Sequence, residues 1–154
     1  MKRLSNLLAA LVFASLVIFM SCGGGSDDPP PDPLVEVAAN LTGTAYAEPS
    51  NVQTDGGAAD GDWSGFGINF SGNQNGGSYT VSGVPDGFGD VWTNGTWEFG
   101  NASGSVITKT HTGSTTSTDM TATIASGSLT LTFDVDEPSA RTNGIAGQWT
   151  FVFN

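Results

Sequence analysis

The residues in this chain that could do chemistry are few, and their spacing sorts them. Cys22 is the single cysteine. It has no second thiol for a disulfide and no partners for a cysteine-based zinc site. It stands directly after the small residue Ser21, at the end of an apolar run. Asp55, Asp60 and Asp62 crowd one Gly-rich loop. Hard cations want several oxygens, and glycine lets backbone carbonyls turn in beside carboxylates, so these three are the candidate Ca2+ ligands. Their spacing is not that of an EF-hand, and the competing reading is a solvated acidic turn. Asp86/Asp90 and Asp134/Asp136/Glu137 are thinner versions of the same pattern. No other cofactor is expected.

Aromatic residues set among Gly, Asn and Asp give a second kind of candidate. Trp63, Phe88 and Trp92 lie in loops or out of phase with the neighbouring strand, which places them at the surface as a ligand or glycan platform. The alternative is that they cap the ends of the fold. His111, beside Lys109 and Thr110, is the only histidine. General-base work would require a Ser or Thr nucleophile within reach, and no Gly-x-Ser-x-Gly elbow is present. It reads as a surface histidine. Carboxylate pairs could in principle cleave glycosides, but the acids fall in loops. The expectation is a protein that is not an enzyme.

Composition narrows the classes further. The 154 residues carry 15 acidic and 4 basic side chains, a formal charge of −11. Four basic residues cannot line a phosphate backbone, so nucleic acid is excluded as a partner. The length suits one domain.

The N-terminus reads as an address. Lys2 and Arg3 precede an apolar stretch, Leu7 to Met20, too short to cross a bilayer, which takes roughly 20 residues. Basic, apolar and small-residue zones in that order describe a secretory signal peptide over residues 1–21. The segment Phe19-Met20-Ser21-Cys22 resembles the lipobox of bacterial lipoproteins, with Phe and Met where Leu and a small residue are commonest. Such relaxed forms occur in lipoproteins of the Bacteroidota type. The resemblance implies acylation of Cys22 and a membrane partner met through the lipid anchor. Each buried methylene adds about 0.8 kcal/mol, so several chains hold firmly. Residues 22–33, rich in Gly, Pro and Asp, form a linker. Asp27 and Asp28 resemble the short acidic signal that sends such lipoproteins to the cell surface, and Gly23 stands where an inner-membrane retention Asp would be. The localisation implied is the outer membrane, lipid-anchored and facing outward. With Lys2 and Arg3 removed, Lys109 and Arg141 face the 15 acidic residues, a charge of −13.

The remaining residues, 34–154, must position whatever site exists. No helical spacing of apolar residues is read in them. Large apolar residues alternate instead with Thr, Ser and Asn: Phe66-Ile68-Phe70, Tyr79-Val81, Trp97-Phe99, Met120-Ala122-Ile124, Leu129-Leu131-Phe133-Val135 and Trp149-Phe151-Phe153. Such alternation, broken by Gly-Asn turns, predicts antiparallel strands with one dry face and one wet face. Adding Leu41–Tyr46 and Val106–Thr110 gives about eight strands joined mostly by short loops. The fold class expected is all-β, an antiparallel up-and-down meander closed into a barrel or flattened barrel, since closure removes the exposed edges. An immunoglobulin-like sandwich is the alternative, with residues 47–64 as the one loop long enough to cross between sheets. The strand rhythm and Gly95-Thr96-Trp97 are similar to the lipocalin-like domains of Bacteroidota lipoproteins, although the lipocalin Gly-x-Trp lies on the first strand. The expected function is a non-catalytic β-domain that binds a small ligand or glycan. The alternative is a structural lipoprotein that binds another envelope protein.

Overall fold

The computed structural model describes residues 30, 32–125, 127–136 and 145–154. The signal segment, Cys22 and most of the linker lie outside the described residues, as do Glu137 and Arg141. Among the described residues, no helix is long and apolar enough to cross a membrane.

The domain opens with a helix, α1 (Pro33–Thr42), where the alternation argument expected none. Its signals are local. Asp32 accepts a hydrogen bond from the Leu34 amide at 2.9 Å, and Pro33 takes the first helical position, where its missing N–H costs nothing. Leu34, Val37, Ala38 and Leu41 form one stripe at helical spacing, with Ala38 and Leu41 buried. The strand expected over Leu41–Tyr46 is therefore only its last part.

Ten strands follow: β1 (Ala45–Ala47), β2 (Asn51–Thr54), β3 (Gly57–Ala58), β4 (Gly67–Asn73), β5 (Gly76–Ser82), β6 (Gly95–Phe99), β7 (Val106–His111), β8 (Ser117–Ala125), β9 (Ser128–Val135) and β10 (Gly147–Phe153). They make one antiparallel sheet in the order β1-β4-β5-β6-β7-β8-β9-β10-β2-β3. The run from β4 to β10 is the expected meander. Among the described residues there is no second sheet, so the sandwich alternative falls, and residues 47–64 hold two strands where a crossing loop was expected.

Closure follows from the two ends of that order. β1 pairs with β4 at one end and β2 pairs with β10 near the other, yet only Glu48, Pro49 and Ser50 separate them. Four backbone steps reach at most about 14 Å, so the ends of the sheet must meet. β1 and β2 are two halves of one wall strand, kinked where Glu48 adopts φ 50° and Pro49 has no N–H to give. The Glu48 amide donates to the Phe66 carbonyl and the Ser50 amide to the Val152 carbonyl, each at 2.8 Å, so the kink grips both neighbours. Counting that strand once gives eight walls, the number at which side chains just fill a barrel.

The interior is filled by the apolar phase of every strand. Ile68, Phe70, Tyr79, Trp97, Leu129, Leu131, Phe133, Trp149, Phe151 and Phe153 are all buried, as expected, together with Phe66 just ahead of β4. Val81, Phe99 and Ile124 are half-buried against them. Most rings meet edge-on or tilted across the barrel, for example Phe66 with Phe151 at 5.3 Å, while Phe133 and Trp149 stack on Phe151. Fully burying one such side chain stabilises by roughly 1.5–3 kcal/mol.

The two ends differ. At the base, α1 packs on β4 and β8, and Leu34 and Val37 lie beside Gly104 of the β6–β7 loop. The mouth, at the other end of the strands, gathers the β2–β3 turn, the loop at 59–66, the loop at 83–94 and the β7–β8 turn.

Candidate functional site

The acidic loop does not converge. Asp55 sits at the β2–β3 turn with φ 50°, a left-handed conformation that Asp tolerates better than most residues. Its amide donates to the Gln148 carbonyl and its Oδ1 accepts from the Gln148 amide, both at 2.8 Å. It is a clip holding β2 to β10. Asp60 offers its backbone carbonyl to Trp63 Nε1 at 2.9 Å. Asp62 accepts from the Ser64 amide and hydroxyl at 3.1 and 2.7 Å, and these bonds hold its carboxyl below the usual range. Three acids do three separate structural jobs, and among the described residues no group of three His, Cys, Asp or Glu could hold a metal ion. This corrects the candidate calcium site.

The aromatic platform is also corrected. Trp63 and Trp92 are buried, at 5% and 1% exposure, and Phe88 is half-buried against the core. The three do come together, but facing inward. Trp63 meets Phe88 at 5.4 Å and Phe151 at 5.0 Å. Trp92 meets Phe66 at 5.8 Å and Phe133 at 5.2 Å. They plug the mouth, which is the capping alternative. Strand phase failed at Trp92 because residues 85–92 are not a strand. The amides of Val91 and Trp92 both donate to the Phe88 carbonyl, at 3.0 and 3.1 Å, and this turn rolls the indole inward. The loop at 59–66 closes over the plug at Gly61. With φ 93°, a Cβ there would lie 2.9 Å from the Phe88 ring, so only glycine allows that approach.

What those rings enclose on one side is a lysine. Along β7, Ile107, Lys109 and His111 share the inward face, while Thr108 and Thr110 take the outer one. Lys109 is 2% exposed. Its Nζ donates to the Val91 carbonyl at 2.7 Å and lies over the Trp92 and Phe133 rings, 4.0 and 3.7 Å from their centroids. The ring faces and the carbonyl suit an ammonium. Burial opposes the charge and pulls the Lys109 pKa well below its ordinary value. His111, partly buried, is pushed down to about 4, first by its own desolvation and then by Lys109, with Asp90 acting the other way. Among the described residues its Nε2 is buried without a hydrogen-bond partner, and so is Trp92 Nε1. No hydroxyl is therefore set against that nitrogen as a nucleophile.

A groove of about 680 Å3 opens here. Lys109 and His111 form its floor, and Asp90, Asp119, Asp134 and Asp136, with Ser117 and Thr118, stand around it. Sequence reasoning named pieces of this site, Asp90, Asp134 and Asp136 as thin cation candidates and His111 as a surface residue, but did not join them and did not expect Lys109 to be buried. A signal was present: Lys109 occupies the apolar phase of a strand whose other phase is threonine. No protein-family model, curated protein or solved structure matches the chain.

Proposed function

We propose that this chain is a non-catalytic, lipid-anchored binding module of a bacterial outer membrane, and that it meets its ligand in the mouth groove. The anchor is Cys22, and the acidic tether behind it favours display on the cell surface. The observation that carries the binding reading is the location of the groove. The chain enters the domain at the base through α1, and the groove lies at the opposite end of the strands. Aromatic rings fill the barrel interior, so a ligand would meet the outside of the domain, and the mouth groove is the one lined by Lys109 and His111.

The chemistry of the rim supports a polyhydroxylated ligand. Carboxylates and hydroxyls at Asp134, Asp119, Ser117 and Thr118 can exchange hydrogen bonds with vicinal hydroxyl groups, and the charge of −13 left without Lys2 and Arg3 repels phosphate and other anions. A glycan array probed with the full chain in detergent tests this. Binding that is lost in Asp134→Asn/Thr118→Val supports the groove. Binding unaffected by those changes, or no binding at all, overturns it. The second reading, a lipoprotein docking on another envelope protein, is favoured by the inward turn of Trp63 and Trp92, which leaves the outer wall largely to threonine. In that case in-cell cross-linking from the outer face of β8 and β9 gives one reproducible envelope partner.

A further inference from the structure

The domain's lysine, Lys109, is buried and lines the groove at the β7–β8 end. At 2% exposure its amine is withdrawn from bulk solvent, and its Nζ donates to the Val91 carbonyl. Among the described residues, His111 Nε2, two positions along the same strand face, and Nε1 of Trp92, whose ring lies under the amine, are buried with no hydrogen-bond partner. Buried polar groups are satisfied in the great majority of cases, so a pair of orphans around an amine at the end of a groove marks a place where a ligand's oxygen would fit.

We propose that Lys109 captures the carbonyl group of a hydroxyaldehyde, such as the open-chain form of a reducing sugar, as an imine in the mouth groove. The proposal rests on the groove being the ligand site and names the ligand's reactive end. The amine lone pair attacks the carbonyl carbon, and the C=O π pair moves to oxygen. His111 Nε2 takes the proton that nitrogen loses and returns it to that oxygen, giving a carbinolamine. The nitrogen lone pair then expels the hydroxyl, which leaves with the remaining N–H proton as water, and a C=N bond stands in place of C=O. No oxidant or reductant takes part. Trp92 and Phe133 form dry walls on two sides of the nitrogen, which slows the return of water. Burial disfavours the charged form of Lys109, and desolvation is one way in which amines are activated as nucleophiles.

The test uses the full chain in detergent, glyceraldehyde as probe and cyanoborohydride to trap the imine, with peptide mapping by mass spectrometry. One adduct is expected, on the peptide holding Lys109. It should form at least about tenfold faster than on N-acetyl-lysine at pH 7, because an ordinary lysine, with pKa near 10.4, is almost wholly protonated there. K109M, checked for folding by near-UV circular dichroism, should lose the adduct. H111Q, which keeps the lysine, should form it more slowly and with an altered pH profile. Labelling at the α-amine alone, or at Lys109 no faster than the free amino acid, overturns the proposal. The glycan array is read separately: sugar binding without an adduct rejects the imine and leaves the groove standing, whereas neither signal rejects both.

Discussion

Lys109 Nζ donates to the Val91 carbonyl oxygen at 2.7 Å, and this bond ties the middle of a wall strand to the loop that plugs the barrel's mouth. The loop delivers Trp92 to the core and Val91 to full burial, so the lysine is both the floor of the groove and the latch of its lid.

Removing that latch should depend on what replaces it. K109M keeps the stem's volume and removes a buried amine, and apolar replacement of buried charge is often neutral or stabilising. We expect a change within about 1.5 kcal/mol. K109A leaves a void and an unpaired carbonyl, and should cost about 2–4 kcal/mol. Urea denaturation of both variants checks the pair. Equal losses would mean that the Val91 bond, not packing, dominates.

The His111 ring gives a pH dependence with a definite sign. Its folded pKa of about 4 lies below its ordinary 6.5, so the unfolded chain binds the extra proton first. Stability is fully present above pH 6.5 and falls as the pH drops through about 4. The loss should be roughly 1–2 kcal/mol, since the ring keeps some contact with solvent. H111Q should flatten this part of the profile in thermal unfolding between pH 4 and 7. A slope that persists in H111Q places the titration elsewhere.

Asp55 should behave as a backbone clip. D55N retains an acceptor and tolerates φ 50°, and should cost under about 1 kcal/mol. D55A loses the Gln148 bond and keeps the unfavourable φ, and should cost about 1–3 kcal/mol. Adding Ca2+ should leave the Tm of the wild type unchanged. A Tm that rises with Ca2+ and fails to rise in D55N would restore the calcium reading.

Cys22→Ala should release the protein from membranes into the soluble fraction. An unprocessed signal segment could itself hold the variant, so the companion measurement is the mass of the wild-type N-terminal peptide, expected to be acylated at Cys22. An unmodified thiol there removes the anchor from the proposal.

Much of the wall was legible in the amino-acid order. Thr130, Thr132 and Thr150 on one face and Leu129, Leu131 and Phe151 on the other fix strands, their phase and their turns, because a pleated strand must sort its side chains by twos. The core residues followed from the same rule. The helix was legible too, through Asp32, Pro33 and the Leu34–Leu41 stripe, but alternation on both sides drew attention from it. The mouth was not. Trp92 was assigned by a strand phase that does not run through the turn at 85–92, and Asp55, Asp60 and Asp62 look alike until their partners are known.

Local sequence therefore determined the elements: strand periodicity, turn glycines, one capped helix, and a single cysteine set behind an apolar run. Tertiary structure alone decided that β1 and β2 close the barrel between β4 and β10, that Trp63 and Trp92 turn inward, and that Lys109 meets Val91. The physical reason is that periodicity acts between near neighbours, whereas closure, burial and the partner of a buried amine are set by groups from segments far apart in the chain. Lys109 and His111 stood side by side on one strand face in the sequence; only the arrival of the 85–92 loop made them the floor of a groove.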